Sequence, residues 1–175
     1  MSADVDRIAA PGRPGIAEMY VQHADAAVRL AYLLTGDRAL AEDLVQDAFV
    51  KLAGRLVHLR DPAAFDAYLR TTVVNLSRSY FRRRRVERTY LERARREAGS
   101  DRAIRPDGSV EDREVLWGAL ARLSPRQRSA IVLRFYEDLP EAEVGQILKC
   151  APGTVKSLVS RGLERLRKEM DGEGR

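Results

Sequence analysis

The sequence predicts an all-α protein built as two small helical domains joined by a flexible linker. Three observations point there. Apolar residues recur at three- and four-residue steps through most of the chain, and no stretch alternates polar and apolar residues as a half-buried strand would. A polar stretch containing Gly99-Ser100 and Arg105-Pro106-Asp107-Gly108-Ser109 interrupts this pattern near the middle. With 175 residues, 45% of them hydrophobic and 33% charged, the chain has room for two small cores.

The expected organisation is a disordered segment over 1–15, a first domain over 16–85, a linker over 86–110 and a second domain over 111–170. Residues 1–15 hold two prolines, two glycines and no apolar period. They also lack the basic start and apolar middle of a signal peptide, and no apolar run approaches the roughly 20 residues that span a bilayer, so the chain reads as cytoplasmic. The single Cys150 excludes an internal disulfide; with His23 and His58 the only histidines, no zinc cluster is recognisable, and neither metal nor cofactor is expected.

Taken in order, Ile16, Met19, Tyr20, His23, Ala27, Leu30, Ala31 and Leu34 mark one face of a first helix, stopped at Thr35-Gly36. His23 lies on that stripe and reads as a satisfied core histidine. Asp37 caps a second helix reaching about Leu56, with Leu40, Leu44, Ala48, Leu52 and Leu56 as its core stripe. Asp43, Gln46, Asp47 and Val50 share another face, which suits either plain solvation or docking on a basic helical partner.

Asp61-Pro62, a cap followed by a first-turn proline, opens a third helix with Phe65, Leu69, Val73, Leu76 and Tyr80 inward. A second stripe carries Tyr68, Thr71, Asn75, Arg78, Arg82 and Arg85. Residues 78–97 hold 9 basic and 3 acidic side chains, a local +6 in a chain whose whole net charge is +5. Arginines track phosphates and aromatics stack on exposed bases, so the stripe suits single-stranded nucleic acid. An Arg-rich solvated helix end or an anionic membrane surface would carry the same charge.

In the second domain Val115, Leu116, Leu120 and Leu123 form an apolar set, with Trp117 as a packing residue. Ser124-Pro125 starts the next helix, whose bulk comes from Ala130, Ile131, Leu133, Phe135 and Tyr136. Then a short helical pattern from Pro140 to Leu148, a break over Lys149-Cys150-Ala151-Pro152 and a longer pattern from Gly153 give the outline of a helix-turn-helix. Val155, Val159, Leu163 and Leu166 make the inward stripe of its second helix. Thr154, Lys156, Ser157, Ser160, Arg161 and Arg165 fall elsewhere, as donors for base edges and phosphates in a major groove. The bland alternative is an amphipathic terminal helix with a solvated basic face. Gly145 sits where the first helix needs a small residue against the second. No Gly-rich phosphate loop and no nucleophile with a base is recognisable, so no enzyme is expected.

Three stretches in this order, GDRALAEDLVQDAFVKL, FDAYLRTTVVNLSRSYFRRRR and LSPRQRSAIVLRFYEDLPEAEVGQILKCAPGTVKSLVSRGLERLR, resemble the extracytoplasmic-function (ECF) sigma factors of the bacterial sigma-70 family. The resemblance implies a transcription initiation factor that binds core RNA polymerase and promoter DNA. It assigns Asp43, Leu44, Gln46, Asp47 and Phe49 to docking on the clamp helices of the beta-prime subunit, the beta subunit being the second polymerase partner. It assigns His58, Asp61, Phe65, Tyr68, Asn75, Arg78, Arg82, Arg83, Arg84 and Arg85 to the melted minus-ten element, and Thr154, Lys156, Ser157, Ser160, Arg161 and Arg165 to the minus-thirty-five element. An anti-sigma factor is a further partner that the family implies. Tyr68 stands where many members have Trp, Pro140 replaces a common Ser or Thr cap, and Leu158 occupies a position that is often Arg. Rival readings are a stand-alone helix-turn-helix regulator and an RNA-binding or membrane-surface helical protein using Arg82–Arg85.

Overall fold

The computed structural model describes residues 15–56, 64–98 and 117–172. It divides into two compact units, Met1–Leu76 and Ser77–Arg175, and among the described residues both are helical without a strand. None of these helices is long and apolar enough to cross a membrane.

In the first unit α1 spans Ile16–Thr35. Gly15, assigned by sequence to the disordered start, is ordered as its cap, donating its N–H to Glu18 Oε2 at 3.2 Å. The helix ends as its sequence dictates: Gly36 adopts the left-handed region at φ 74° and donates to the Tyr32 carbonyl at 2.7 Å. Asp37 then caps α2, Arg38–Leu56, accepting from the Leu40 N–H at 3.0 Å. The buried face of α2 holds Ala41, Leu44, Val45, Ala48, Phe49 and Leu52. That face is turned from the expected stripe: Leu40 is half-buried, while Val45 and Phe49 lie inside.

Helix α3 runs from Ala64 to Ala98. Phe65, Leu69, Val73 and Val74 are buried, and the Phe65 ring lies 5.7 Å from Phe49 and 5.3 Å from His23. His23 is half-buried at the core edge, with Nδ1 3.6 Å from Asp66, longer than a hydrogen bond, and Asp66 in turn accepts from Arg70 at 2.6 Å. Residues 86–98, expected as the start of the linker and compatible in sequence with a helix up to Gly99, continue α3, because no glycine or proline interrupts the chain before Gly99. Residues 99–110 lie outside the described residues, as do 1–14.

The second unit begins inside α3, at Ser77. Helix α4 is seen over residues 117–121. Ser124 and Gln127 form a reciprocal capping box, at 3.2 and 3.1 Å, that starts α5, Pro125–Ile131, with Pro125 in its first turn. Arg128 is buried; its guanidinium lies over the Phe81 and Trp117 rings at 5.3 and 5.5 Å and donates to the Leu123 carbonyl. Burial lowers its pKa to about 10. A π-helical turn, Val132–Tyr136, follows directly and inserts an extra residue into the helical phase. Val132 and Leu133 therefore point inward, whereas Phe135 and Tyr136, expected as core bulk, are exposed.

Helix α6 spans Glu141–Leu148 and α7 Pro152–Gly172. Lys149, at φ 54°, reverses the chain between them, and Cys150 donates to the Gly145 carbonyl at 2.9 Å. A Cβ at Gly145 would stand 2.7 Å from the Cys150 carbonyl oxygen, and one at Gly162 2.5 Å from Ile131 Cδ1. Gly162 joins Val155 on the inward face of α7, and Leu163, expected there, is exposed.

Three stability outcomes follow from this packing. Gly145→Ala gains roughly 1 kcal/mol of helix propensity but meets a backbone oxygen that cannot swing away, so it lowers the unfolding free energy by about 1–3 kcal/mol in urea melts. Gly162→Ala meets the tip of a side chain and is the milder variant of the two. Arg128→Lys keeps the charge but loses the planar stack between two rings, and thermal melts should show a loss of about 1–2 kcal/mol.

Candidate polymerase and promoter interfaces

Helix α2 buries one face against α1 and leaves Asp43, Gln46, Asp47 and Val50 exposed together, Val50 at 75%. Spacings of three and four residues bring these side chains into one patch. Glu42 is held by Arg38 at 3.0 Å, but among the described residues neither Asp43 nor Asp47 has a basic partner. Leu44 and Phe49, expected as contact residues on the same helix, point into the core instead. Phe49 packs edge-on to Tyr20 at 4.9 Å, so these two hold the patch from beneath.

On α3 the expected strand contacts separate into distinct groups. His58 and Asp61 lie outside the described residues. Phe65 is wholly buried, a core residue rather than a surface contact. Tyr68 is 50% exposed and Asn75 half-buried. Arg78 is half-buried in the second unit, donating to the Leu148 carbonyl at 3.3 Å, and its pKa is lowered by burial first and then by Arg126. Sequence reasoning could not anticipate that tie, because it joins residues 70 positions apart. Arg82 to Arg85 are exposed; Arg84 stacks on Tyr80 at 5.7 Å and donates to its hydroxyl at 3.0 Å.

On α7 Thr154, Lys156, Ser157, Ser160, Arg161 and Arg165 are all exposed. They start in the first turn of a 21-residue helix whose opposite side buries Val155 and Gly162. The Ser157 hydroxyl donates to the Gly153 carbonyl at 3.0 Å, which leaves its oxygen as an acceptor. Leu158 is half-buried, so an apolar residue there serves packing. Pro140 caps α6 without a side-chain bond, at φ −65°.

The exposed aromatics that sequence reasoning did not place on the surface are Phe135 and Tyr136 on the π turn, and Tyr90 far along α3. The first two were hidden by the phase shift of that turn. Tyr90 was legible as an aromatic among arginines.

The family model for sigma-70 region 2 matches residues 19–87, and that for sigma-70 region 4 matches residues 113–166. The chain is 36% identical to the RNA polymerase sigma-E factor of Streptomyces avermitilis, covering 88% of this chain and 84% of that one. It is 35% identical to the ECF RNA polymerase sigma factor SigE of Mycolicibacterium smegmatis, covering 88% of this chain and 61% of that protein. Among solved structures it is similar to the sigma factor RpoE of Bartonella quintana, in complex with the anti-sigma factor NepR, with TM-score 0.66 at 29% identity over 89% of this chain and 96% of that chain. With both sigma regions matched in order, each on its own run of helices, the chain belongs to the ECF group of sigma-70 family RNA polymerase sigma factors.

Proposed function

We infer that this sigma factor docks on core RNA polymerase through the exposed face of α2 and contacts promoter DNA through α3 and α7, so directing the polymerase to its start sites. The observation that carries the reading is an acidic face lacking basic partners among the described residues, followed on the same chain by two helices rich in exposed donors. A basic helical partner supplies the charges that Asp43 and Asp47 lack, and Gln46 and Val50 lie between or beside them to be covered. Leu44 and Phe49 act by fixing the helix that presents this patch.

Duplex reading falls to α7. Thr154, Lys156, Ser157, Ser160 and Arg161 occupy its first three turns, within reach of base edges and flanking phosphates, and Arg165 lies nearer the backbone. Strand opening falls to α3. Extruding and unstacking a base costs a few kcal/mol, and stacking on an aromatic such as Tyr68 returns roughly 1–3 kcal/mol per base. Asn75, Arg82, Arg83 and Arg85 add polar and phosphate contacts along the same helix.

In this reading the polymerase joins nucleotides and the sigma factor itself is non-catalytic and cytoplasmic, where its partners are. The Bartonella relative's complex with NepR supports an anti-sigma factor as a further partner.

The reading is tested by combining the protein with core polymerase on a library of promoter-like fragments. A stable polymerase complex and start-site-specific transcripts are expected. Tight binding of duplex DNA by the free protein, with no polymerase complex, would instead favour the stand-alone regulator. Asp47→Arg reverses the charge on an exposed residue, so co-purification with core polymerase should drop at least tenfold while the circular dichroism melt stays unchanged. Lys156→Ala removes one donor from α7; promoter affinity of the holoenzyme should fall about three- to tenfold, with a shallower salt dependence, and polymerase binding should be unaltered.

A further inference from the structure

From Ser77 onward α3 belongs to the second unit, and its first turns there pack against that unit's own helices. Arg78, half-buried, donates from Nη1 to the Leu148 carbonyl at 3.3 Å, where α6 runs into the turn that carries Cys150. The Phe81 ring receives the Arg128 guanidinium at 5.3 Å, which sets the start of α5 beside the same stretch of α3. Two further arginines reach this corner. Arg82 follows Arg78 by one helical turn, and Arg126 comes from the first turn of α5. Both are exposed, and after burial the positive charge of Arg126, and then that of Arg82, holds the Arg78 pKa down. Among the described residues no carboxylate pairs with Arg78, Arg82 or Arg126, and Cys150 is the one group that favours the charge of Arg78.

We propose that Arg78, Arg82 and Arg126 form a binding site for a small soluble anion bearing a terminal phosphate. Three guanidinium groups gathered without a counter-charge repel one another, and an anion between them turns that repulsion into attraction. Each guanidinium offers a planar fork of N–H donors that fits phosphate oxygens, and Arg78 gives only part of its fork to Leu148. A terminal phosphate carries about −1.5 to −2 charges at pH 7 and three acceptor oxygens; a phosphodiester of a nucleic acid carries a single charge. The terminal group is the better match for three arginines, and its small size suits a corner where the Arg78 head lies against backbone. The site does not rest on the promoter reading of α3, because Arg126 stands on a helix to which no DNA contact is assigned.

The test uses the full chain without polymerase or DNA and follows its melt through Trp117, the only tryptophan, which lies in the second unit with Arg128 5.5 Å from its ring. Inorganic phosphate, compared with chloride at matched ionic strength, should raise the midpoint saturably, by about 3–6 °C at ten times its Kd. Arg126→Gln should weaken that response at least tenfold while its midpoint in chloride holds or rises, since a repelling charge has gone. Arg167→Gln, which changes an exposed arginine elsewhere in the unit, should leave the response whole. A rise that never saturates, or one equally large in Arg126→Gln, marks general exclusion of phosphate from the protein surface and overturns the site. A chloride midpoint lowered by Arg126→Gln overturns it too, because that arginine would then be holding the fold. So does Arg126-dependent binding of a 5′-hydroxyl oligonucleotide, which offers phosphodiesters alone, with no response to phosphate.

Discussion

What α3 can present depends on its remaining one unbroken helix. From Ala64 to Ala98 the sequence contains neither glycine nor proline, so a single helical phase governs all its faces. Burial of Phe65, Leu69 and Val73 sets that phase in the first unit, each side chain contributing roughly 1.5–3 kcal/mol. With those three inward, Tyr68 must face outward. A slip of one residue would turn each by about 100° and bury charge where the aromatic ring of Phe65 now sits. Beyond Arg82 every described side chain up to Tyr90 is exposed, so that part persists by propensity and by continuation from a helix already nucleated.

Placement of charge obeys the same logic with opposite outcomes in the two units. Arg128 is buried and its pKa is lowered from the ordinary arginine range to about 10, a desolvation cost on the order of 3 kcal/mol. Two aromatic faces and the Leu123 carbonyl offset part of it. Because the folded pKa lies below the unfolded one, this cost is constant below about pH 10 and shrinks only as pH rises through that value; the group is a fixed cation under physiological conditions. Asp43 and Asp47 are exposed instead, so they cost the isolated fold little. Buried charge that packs against rings and exposed charge that the proposed reading assigns to docking are thus distinguished by burial alone.

Local chemistry was the most legible part of the fold. Thr35-Gly36, Asp37 and Ser124-Pro125 each stop or start a helix through bonds between residues at most four apart, which a sequence displays directly. The α7 donors were legible because all six share an exposed surface whatever the exact tilt of the helix. What failed was fine phase. On α2 the choice between Leu40 and Val45 as core depends on where α1 lies, and on α7 Gly162 goes inward ahead of Leu163 because Ile131 packs there. The π turn broke the 3.6-residue period directly after α5, so Phe135 and Tyr136 emerged on the surface. Leu44, Phe49 and Phe65 were assigned contacts through the resemblance, which marks positions that matter without separating those that touch a partner from those that hold the touching residues in place.

The helix-turn-helix gains its meaning from the rest of the chain. Gly145 lets the Cys150 carbonyl approach and brings α6 close to the turn, which fixes the entry of α7 and the direction of its donors. Six exposed polar or basic side chains on one helix supply only modest affinity, and each phosphate contact weakens as salt rises. With α2 docking on polymerase and α3 binding the strand, as proposed, the same contacts become intramolecular once the first partner is engaged, and weak sites multiply into a tight one. Weakness of each site is then an advantage. A factor that gripped duplex DNA strongly by itself would be held at promoters without polymerase, whereas one that needs all its faces occupied binds firmly only where polymerase and both DNA elements meet.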